Sequence, residues 1–357
     1  MSSLIRRVAV TGFAIALGTA GLAACGSPND SEGSSKDSKV IALLLPESKT
    51  TRYESFDRPI FEKKVKELCS DCSVKYYNAD QDAAKQAQQV DTAINAGAKV
   101  VVLDPVDGNG AGGMVSSAQE AGAKVIAYDR FIKGADYYMS FDNETVGKLQ
   151  AEALEEAMGG KGGYLQLNGA PTDPNAAQFK AGAESVLKAS GLTLLTKSSY
   201  DNPDWSPDNA QKYVTDQLSK ISPSDIKGVY AANDGQAGGV IAALKGAGVA
   251  ANALPPVTGQ DAELAAIQRI LAGEQYMTIF KSYFIEAEKA GEVAVALVKG
   301  DDVGETTDFE GIKSFIFDPV VVKKDNVKEN IVDTGLYPVA DICTADYADA
   351  CKAAGLS

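Results

Sequence analysis

The sequence contains no histidine among its 357 residues. This absence excludes Ser-His-Asp and Cys-His catalysis, histidine metal sites and the commonest general base at neutral pH. No Lys/Arg cluster occurs beyond the first few residues, and the formal net charge is -14. Phosphate binding needs a basic face, so we expect no nucleic-acid partner. The acidity itself is typical of a soluble protein.

Several motifs that carry chemistry are also missing. There is no GxxxxGK[ST] phosphate loop, no DxDxDG calcium loop and only one CxxC, with no histidine to complete a zinc site. We therefore predict no cofactor and no bound metal. The length suits two domains of ordinary size, because about 150 residues is the usual prior for each.

The first 24 residues have the features of a signal peptide. Arg6 and Arg7 precede an apolar run that is too short and too rich in small residues for a membrane span. The run ends in Leu-Ala-Ala-Cys25, which resembles the lipobox of bacterial lipoproteins. We predict lipidation at Cys25, a flexible linker over residues 25–38 and an extracytoplasmic protein anchored to the cell membrane. An ordinary secretory signal with a chance cysteine is the alternative.

The remaining four cysteines fit an oxidising compartment. Cys69 and Cys72 form the CxxC, and Cys343 lies close to Cys351. Their even number and short spacings predict two disulfides, Cys69–Cys72 and Cys343–Cys351. A redox CxxC is disfavoured because Cys69 follows a predicted helix, so no helix N-terminus lowers the pKa of its thiol.

From residue 39 onward, strand-like and helix-like segments alternate. Short runs rich in β-branched residues are separated by helical patterns, for example KVIALLLP, AKVVVLDP and AKVIAYDR before residue 143 and GGYLQLNG and IKGVYAAND after it. This rhythm predicts an α/β protein with parallel sheets, built as two doubly wound lobes.

Polar side chains stand where several of these strands end. In open parallel sheets, ligands bind beyond the carboxyl ends of the strands, so we expect these groups to converge in a cleft between the lobes. Carboxylates, amides and cations together can donate to and accept from the hydroxyls of a sugar. The strand-end residues are Asp129, Arg130, Asp142, Asn143, Asn233, Asp234, Gln260, Asp261 and Lys281.

Two aromatic residues could cover the apolar faces of a sugar ring. Tyr53 lies beside Arg52 after the first strand, and Trp205 is the only tryptophan. Each polar residue taken alone could instead be a helix N-cap. The set as a whole favours a binding site.

Long stretches of the chain resemble a known family. TRYESFDRPIFEKK, VIAYDRFI, SFDNETVGKLQA, NGAPTDPNAAQFKAG, AANDGQAGGVIAAL and GQDAELAAIQRILAGEQYMTIFK resemble the type I sugar-binding proteins of bacterial ABC importers, and within them the D-xylose-binding branch. The resemblance covers residues 39 to about 320. It implies ligand contacts at Arg52, Tyr53, Asp129, Arg130, Asn143, Trp205, Asn233, Asp261 and Lys281. Tyr53 stands where the family's best known members have tryptophan.

The resemblance implies two lobes joined by three crossovers, near residues 142, 281 and 306. The N-terminal lobe is then 39–142 and 282–306, and the C-terminal lobe is 143–281 and 307–357. It implies a monomer that closes over a monosaccharide, most simply D-xylose, and delivers it to an ABC permease and its ATPase. The alternatives are a sensor that presents sugar to a receptor, a protein for glucose or another pyranose, and, more remotely, a glycosidase.

Overall fold

The structure is a computed structural model that describes residues 39–356. Thirteen strands lie in this range: β1 (Val40–Leu45), β2 (Ser73–Asn78), β3 (Ala98–Leu103), β4 (Lys124–Tyr128), β5 (Tyr137–Phe141), β6 (Gly162–Asn168), β7 (Leu192–Leu194), β8 (Tyr200–Asp201), β9 (Ile226–Ala231), β10 (Thr278–Phe280), β11 (Thr307–Phe309), β12 (Ile312–Phe317) and β13 (Val320–Val322).

Helices separate most of these strands. Within residues 39–356 they are α1 (Arg58–Leu68), α2 (Ala83–Asn95), α3 (Gly112–Glu120), α4 (Asn143–Met158), α5 (Pro174–Leu187), α6 (Pro207–Leu218), α7 (Asp234–Gly246), α8 (Leu264–Ala272), α9 (Tyr283–Lys299), α10 (Val339–Ile342) and α11 (Ala348–Ala353). A π-helical turn, Tyr53–Asp57, leads into α1. No helix in the described range is both long and apolar enough to cross a membrane.

The strands form two main sheets. The first has the order β11-β12-β5-β4-β3-β1-β2 and is parallel except for the β11–β12 hairpin at its edge. The second is built around β6, which pairs in parallel with β7, β8 and β9. Strands β10 and β13 pair with each other in antiparallel orientation. The predicted alternation of strands and helices is therefore confirmed.

The central strands of the first sheet are apolar on both faces. In β1 every residue from Ile41 to Leu45 is buried. Ile41, Leu43 and Leu45 belong to one apolar cluster, whereas Ala42 and Leu44 belong to another. Such two-sided burial is typical of parallel strands covered by helices on both faces.

One predicted boundary is wrong. Residues 307–317 were expected to follow the third crossover, but β12 pairs in parallel with β5, from Lys313 opposite Tyr137 to Phe317 opposite Phe141. The chain after α9 therefore extends the first sheet, and it reaches β13 only after residue 317. The short hairpin carries no sequence signal that assigns it to either sheet. The rest of the lobe division stays a prediction.

Both predicted cysteine pairs are disulfides in the structure. Cys69 and Cys72 join the end of α1 to the start of β2. Cys343 and Cys351 join the end of α10 to α11. Cys25 lies outside the described residues.

Candidate functional site

A small polar cavity lies beyond the ends of strands from both main sheets. Eight of the nine predicted ligand residues line the cavity: Arg52, Tyr53, Asp129, Arg130, Trp205, Asn233, Asp261 and Lys281. The other lining residues are Thr50, Asp173, Asn175, Phe179 and Gln260.

Three of the residues that line the cavity have an unusual backbone conformation. Asp129, Trp205 and Asp261 have φ values of 56°, 62° and 93°. The chain is held at two of these points by backbone hydrogen bonds, from Asp129 N to Met139 O at 2.9 Å and from Asp261 N to Ile279 O at 2.8 Å. Positive φ in non-glycine residues is costly and is concentrated at functional sites.

Arg52 is almost fully buried and has three acidic neighbours. Its Nε and Nη2 both donate to the carboxylate of Asp57 at 2.8 Å, and Nη2 also donates to Glu286 Oε2 at 2.7 Å. Its Nη1 lies 3.5 Å from Asp129 Oδ1. The Asp57 pair is bidentate, which fixes the plane of the guanidinium.

Arg130 is anchored by a second set of contacts. Its Nη1 donates to the carbonyl of Pro105 at 2.9 Å, and its Nη2 donates to the Tyr53 hydroxyl at 3.3 Å. The Nε lies 2.9 Å from Asp173 Oδ2 and 3.4 Å from Asp104 Oδ1. Neither Nε contact has the geometry of a hydrogen bond. Arg130, which follows β4, therefore links the segment after β3, the turn before α1 and the start of α5.

Lys281 lies between two carboxylates from distant parts of the chain. Its Nζ lies 3.7 Å from Asp129 Oδ1, after β4, and 3.5 Å from Asp261 Oδ1, in the segment between α7 and α8. The Nζ also lies 5.5 Å from the centre of the Phe179 ring. These distances exceed those of tight ion pairs, so the ammonium and both carboxylates keep hydrogen-bonding capacity for a ligand.

The charges of the buried acids are set by their neighbours. Burial acts to raise the pKa of Asp129, but Lys281, Arg52 and Arg130 together hold it below its ordinary value. Burial raises the pKa of Asp173, against the effect of Arg130. Asp129 is therefore an ionised acceptor, a state that suits binding of hydroxyls and does not suit the proton donor of a glycosidase.

The Trp205 indole is held on two sides. Its Nε1 donates to Asp173 Oδ2 at 3.1 Å, and its ring meets the Phe179 ring edge-on at 6.3 Å between centres. The ring also lies directly against Gly169, where an added Cβ would be 2.0 Å from Trp205 Cη2. Only glycine leaves room for the indole there. The predicted stacking of a sugar between Trp205 and Tyr53 stays a prediction.

Some buried polar atoms at the cavity have no partner. Asn175 Oδ1 and Gln260 Oε1 are buried and accept no hydrogen bond within the described residues. The Asn175 Nδ2 donates to the carbonyl of Asp129 at 2.9 Å, which fixes the orientation of the amide. Buried acceptors are normally paired, so both oxygens are available to the hydroxyls of a bound molecule.

Asn143 is the predicted ligand residue that does not line this cavity. It begins α4, its Nδ2 donates to Ser140 Oγ at 3.2 Å, and it borders a separate surface pocket with Asp142 and Glu144. The strand-end pattern marks Asn143 correctly as a residue at the end of β5. It cannot show which of the strand-end residues line the cavity.

Asp173, Asn175, Phe179 and Thr50 are cavity residues that the sequence reasoning missed. The first three lie in the stretch NGAPTDPNAAQFKAG, with Asp173 just before α5 and Asn175 and Phe179 in its first two turns. A signal was present, because Asp-Pro-Asn follows the buried strand β6 after a short loop. Asp173 caps α5 by accepting from Asn175 N at 2.8 Å. Its carboxylate thus serves both the helix and the cavity.

Two sheets covered by helices, with a polar cavity at strand ends of both, define a type I periplasmic binding protein. Residues 41–302 match the family described as periplasmic binding protein domain, and the chain belongs to that family. The predicted fold class and family are confirmed.

Similar proteins bind different sugars. The D-xylose-binding periplasmic protein of Escherichia coli is 36% identical and aligns over 85% of this chain and 92% of its own. A multiple sugar-binding periplasmic receptor of Rhizobium radiobacter is 33% identical over 84% of this chain and 91% of its own. An ABC transporter solute-binding protein of Clostridium phytofermentans with bound β-D-glucose has a TM-score of 0.78 at 27% identity, covering 85% of this chain and 99% of its own.

Proposed function

We propose that this protein captures a monosaccharide in the cavity and delivers it to an ABC permease without chemical change. The arrangement around Lys281 supports this best, because its ammonium lies between Asp129, which follows β4 of the first sheet, and Asp261, which follows a segment bridged at Val257 to β9 of the second sheet. A sugar bound there contacts both sheets at once. Such contacts favour a closed form over an open one.

D-Xylose is the proposed ligand. The small cavity and the 36% identity to a D-xylose-binding protein support it. Glucose carries an additional exocyclic CH₂OH, which needs space and a partner for its hydroxyl in a closed site. We therefore expect xylose to bind at least tenfold more tightly than glucose, which is about 1.4 kcal/mol.

Calorimetric titration of the purified protein with xylose, glucose, ribose, arabinose and galactose tests the proposal. A typical micromolar dissociation constant corresponds to about -8 kcal/mol. Equal affinity for glucose and xylose would refute the proposed size selection. Sustained conversion of xylose or a xyloside by the pure protein would refute the binding-only function.

A lipid anchor at Cys25 and a monomeric state are part of the proposal. The anchor rests on the Leu-Ala-Ala-Cys sequence at the end of the apolar run. Presentation of the sugar to a signalling receptor is the second candidate, because one relative is named a receptor. Loss of growth on the sugar after deletion of the chain favours transport. Loss of a sugar-induced response with growth unchanged favours the receptor.

A further inference from the structure

Two acidic side chains contact Arg52 without lining the cavity. Asp57, in the π-helical turn before α1, occupies Nε and Nη2, and Glu286 of α9 occupies Nη2 as well. Tyr128 donates from its hydroxyl to Asp57 and so fixes that carboxylate. The remaining nitrogen of Arg52, Nη1, lies next to Asp129, which does line the cavity.

Glu286 differs from Asp57 in how its oxygens are satisfied. Glu286 is 0% exposed, and its Oε1 has no hydrogen-bond partner. An ionised carboxylate with an unpaired buried oxygen is costly, whereas a protonated carboxyl group is less so. Burial raises the pKa of Glu286 to about 8, although Arg52 opposes the rise.

The groups around Glu286 come from four neighbouring parts of the chain. They are Arg52 and Asp57 beside α1, Tyr128 and Asp129 at the end of β4, Tyr138 of β5, and Lys281 after β10. Because Lys281 is shared with Asp261, the acidic side chains of this set already outnumber the basic ones. Ionisation of Glu286 would add a further negative charge.

We propose that Glu286 is a positioning residue: its protonated form holds Arg52 with Nη1 directed to Asp129 and the bound sugar, so that sugar affinity falls when Glu286 loses its proton. The inference rests on the proposed sugar binding. An ionised Glu286 attracts the guanidinium more strongly and competes with Asp129 for it. Its charge also repels Asp129 in a site from which closure removes water.

The sign of the pH dependence follows from linkage. Closure removes water from the surroundings of Glu286, and loss of water disfavours the ionised carboxylate, so the closed form holds the proton of Glu286 more tightly than the open form. Binding then takes up a proton, and the dissociation constant rises with pH by at most about tenfold per pH unit. For folding, the raised pKa stabilises the protein fully below the unfolded value near 4.5, and this contribution is lost as the pH rises through about 8.

A second buried acid, Glu263, would also titrate in the pH range of the experiment, so it is replaced in both proteins that are compared. Burial raises the pKa of Glu263 to about 7, with Asp261 acting in the same direction. Full-length Glu263→Gln protein is therefore the parent, and Glu263→Gln/Glu286→Gln is the test variant. Both are titrated calorimetrically with D-xylose, and with D-glucose, between about pH 6 and pH 9. Thermal midpoints without sugar are measured over the same range.

The expected result is a rise of about three- to tenfold in the dissociation constant of the parent. In the double variant it should rise less than in the parent and start near the low-pH value of the parent, because glutamine has the shape of protonated glutamic acid and can accept from Arg52. The infrared carbonyl band of protonated carboxylic acids should be weaker in the double variant than in the parent, because the other buried acids, Asp104 and Asp234 among them, are present in both.

Equal pH dependence in the two proteins would overturn the inference. So would a tenfold weaker affinity or failure to fold in the double variant at low pH, since the substitution imitates the proposed native state. If wild type binds no sugar, the proposed function fails, and the midpoints still decide the role of Glu286. The parent should then lose more stability than the double variant between about pH 6 and pH 9.

Discussion

Replacing Gly169 by alanine tests the role of Trp205 without removing the indole. The added Cβ would lie 2.0, 2.1 and 2.7 Å from Cη2, Cζ2 and Cζ3 of the ring. Carbon atoms in contact are about 3.5 Å apart, so the ring must move by about 1.5 Å. The 3.1 Å hydrogen bond from Trp205 Nε1 to Asp173 cannot survive such a displacement.

The loss can be bounded from that hydrogen bond. A hydrogen bond to a charged group contributes about 1.5 to 3 kcal/mol. The expected rise in the dissociation constant for xylose in Gly169→Ala is therefore about 10- to 150-fold. Trp205→Ala should lose about 2 to 4 kcal/mol, because a buried aromatic anchor is removed altogether.

Calorimetry on four proteins checks the argument: wild type, the two single variants and Gly169→Ala/Trp205→Ala. Once Trp205 is absent, Gly169→Ala should have little further effect. The losses of binding free energy in the two single variants should therefore add up to more than the loss in the double variant. Gly113→Ala, in α3, is the matched control, because nothing lies within 4 Å of its added Cβ. Xylose binding within twofold of wild type in Gly169→Ala, or additive losses, would refute the reasoning.

Further outcomes follow from the same structure. Asn175→Ala should weaken xylose binding by about 1 to 3 kcal/mol and Asn143→Ala should not, because only Asn175 lines the cavity; equal losses in calorimetry would contradict this. Lys281→Met removes one of the positive charges beside Asp129 and should weaken the binding free energy of xylose by about 2 to 5 kcal/mol. An unchanged dissociation constant in calorimetry would contradict this. Cys25→Ser should move the protein from the membrane fraction to the medium with xylose affinity unchanged, and a wild type without lipid mass on Cys25 would disprove the anchor.

The alternation of strands and helices could be predicted because it depends on local sequence. Runs such as AKVVVLDP are apolar on both faces, and a buried parallel strand needs this pattern. Strand-end polar residues could be found in the same way, since the carboxyl ends of parallel strands lead to one edge. Both inferences use only chain position and side-chain polarity.

Pairing between distant segments could not be predicted in this way. The β11–β12 hairpin is short and partly exposed, and nothing within it specifies β5 as the neighbour of β12. Glu286 is a similar case. In the helical sequence YFIEAEKAGEV it is indistinguishable from the nearby Glu288, yet Glu286 contacts the buried Arg52, whereas the half-exposed Glu288 contacts Lys64.

Backbone strain explains why Trp205 is harder to predict than Asp129 or Asp261. All three have positive φ, but aspartate tolerates this region because its short side chain can hydrogen-bond locally, whereas a bulky indole gains no such compensation. A non-glycine residue in this conformation costs about 1 to 3 kcal/mol and persists only where its surroundings hold it. Here Asp173, Phe179 and the space above Gly169 hold the indole. The conformation of Trp205 therefore depends on a second segment, residues 169–179 from the end of β6 into α5, and a cavity wall of this kind is visible only once the two segments have been brought together.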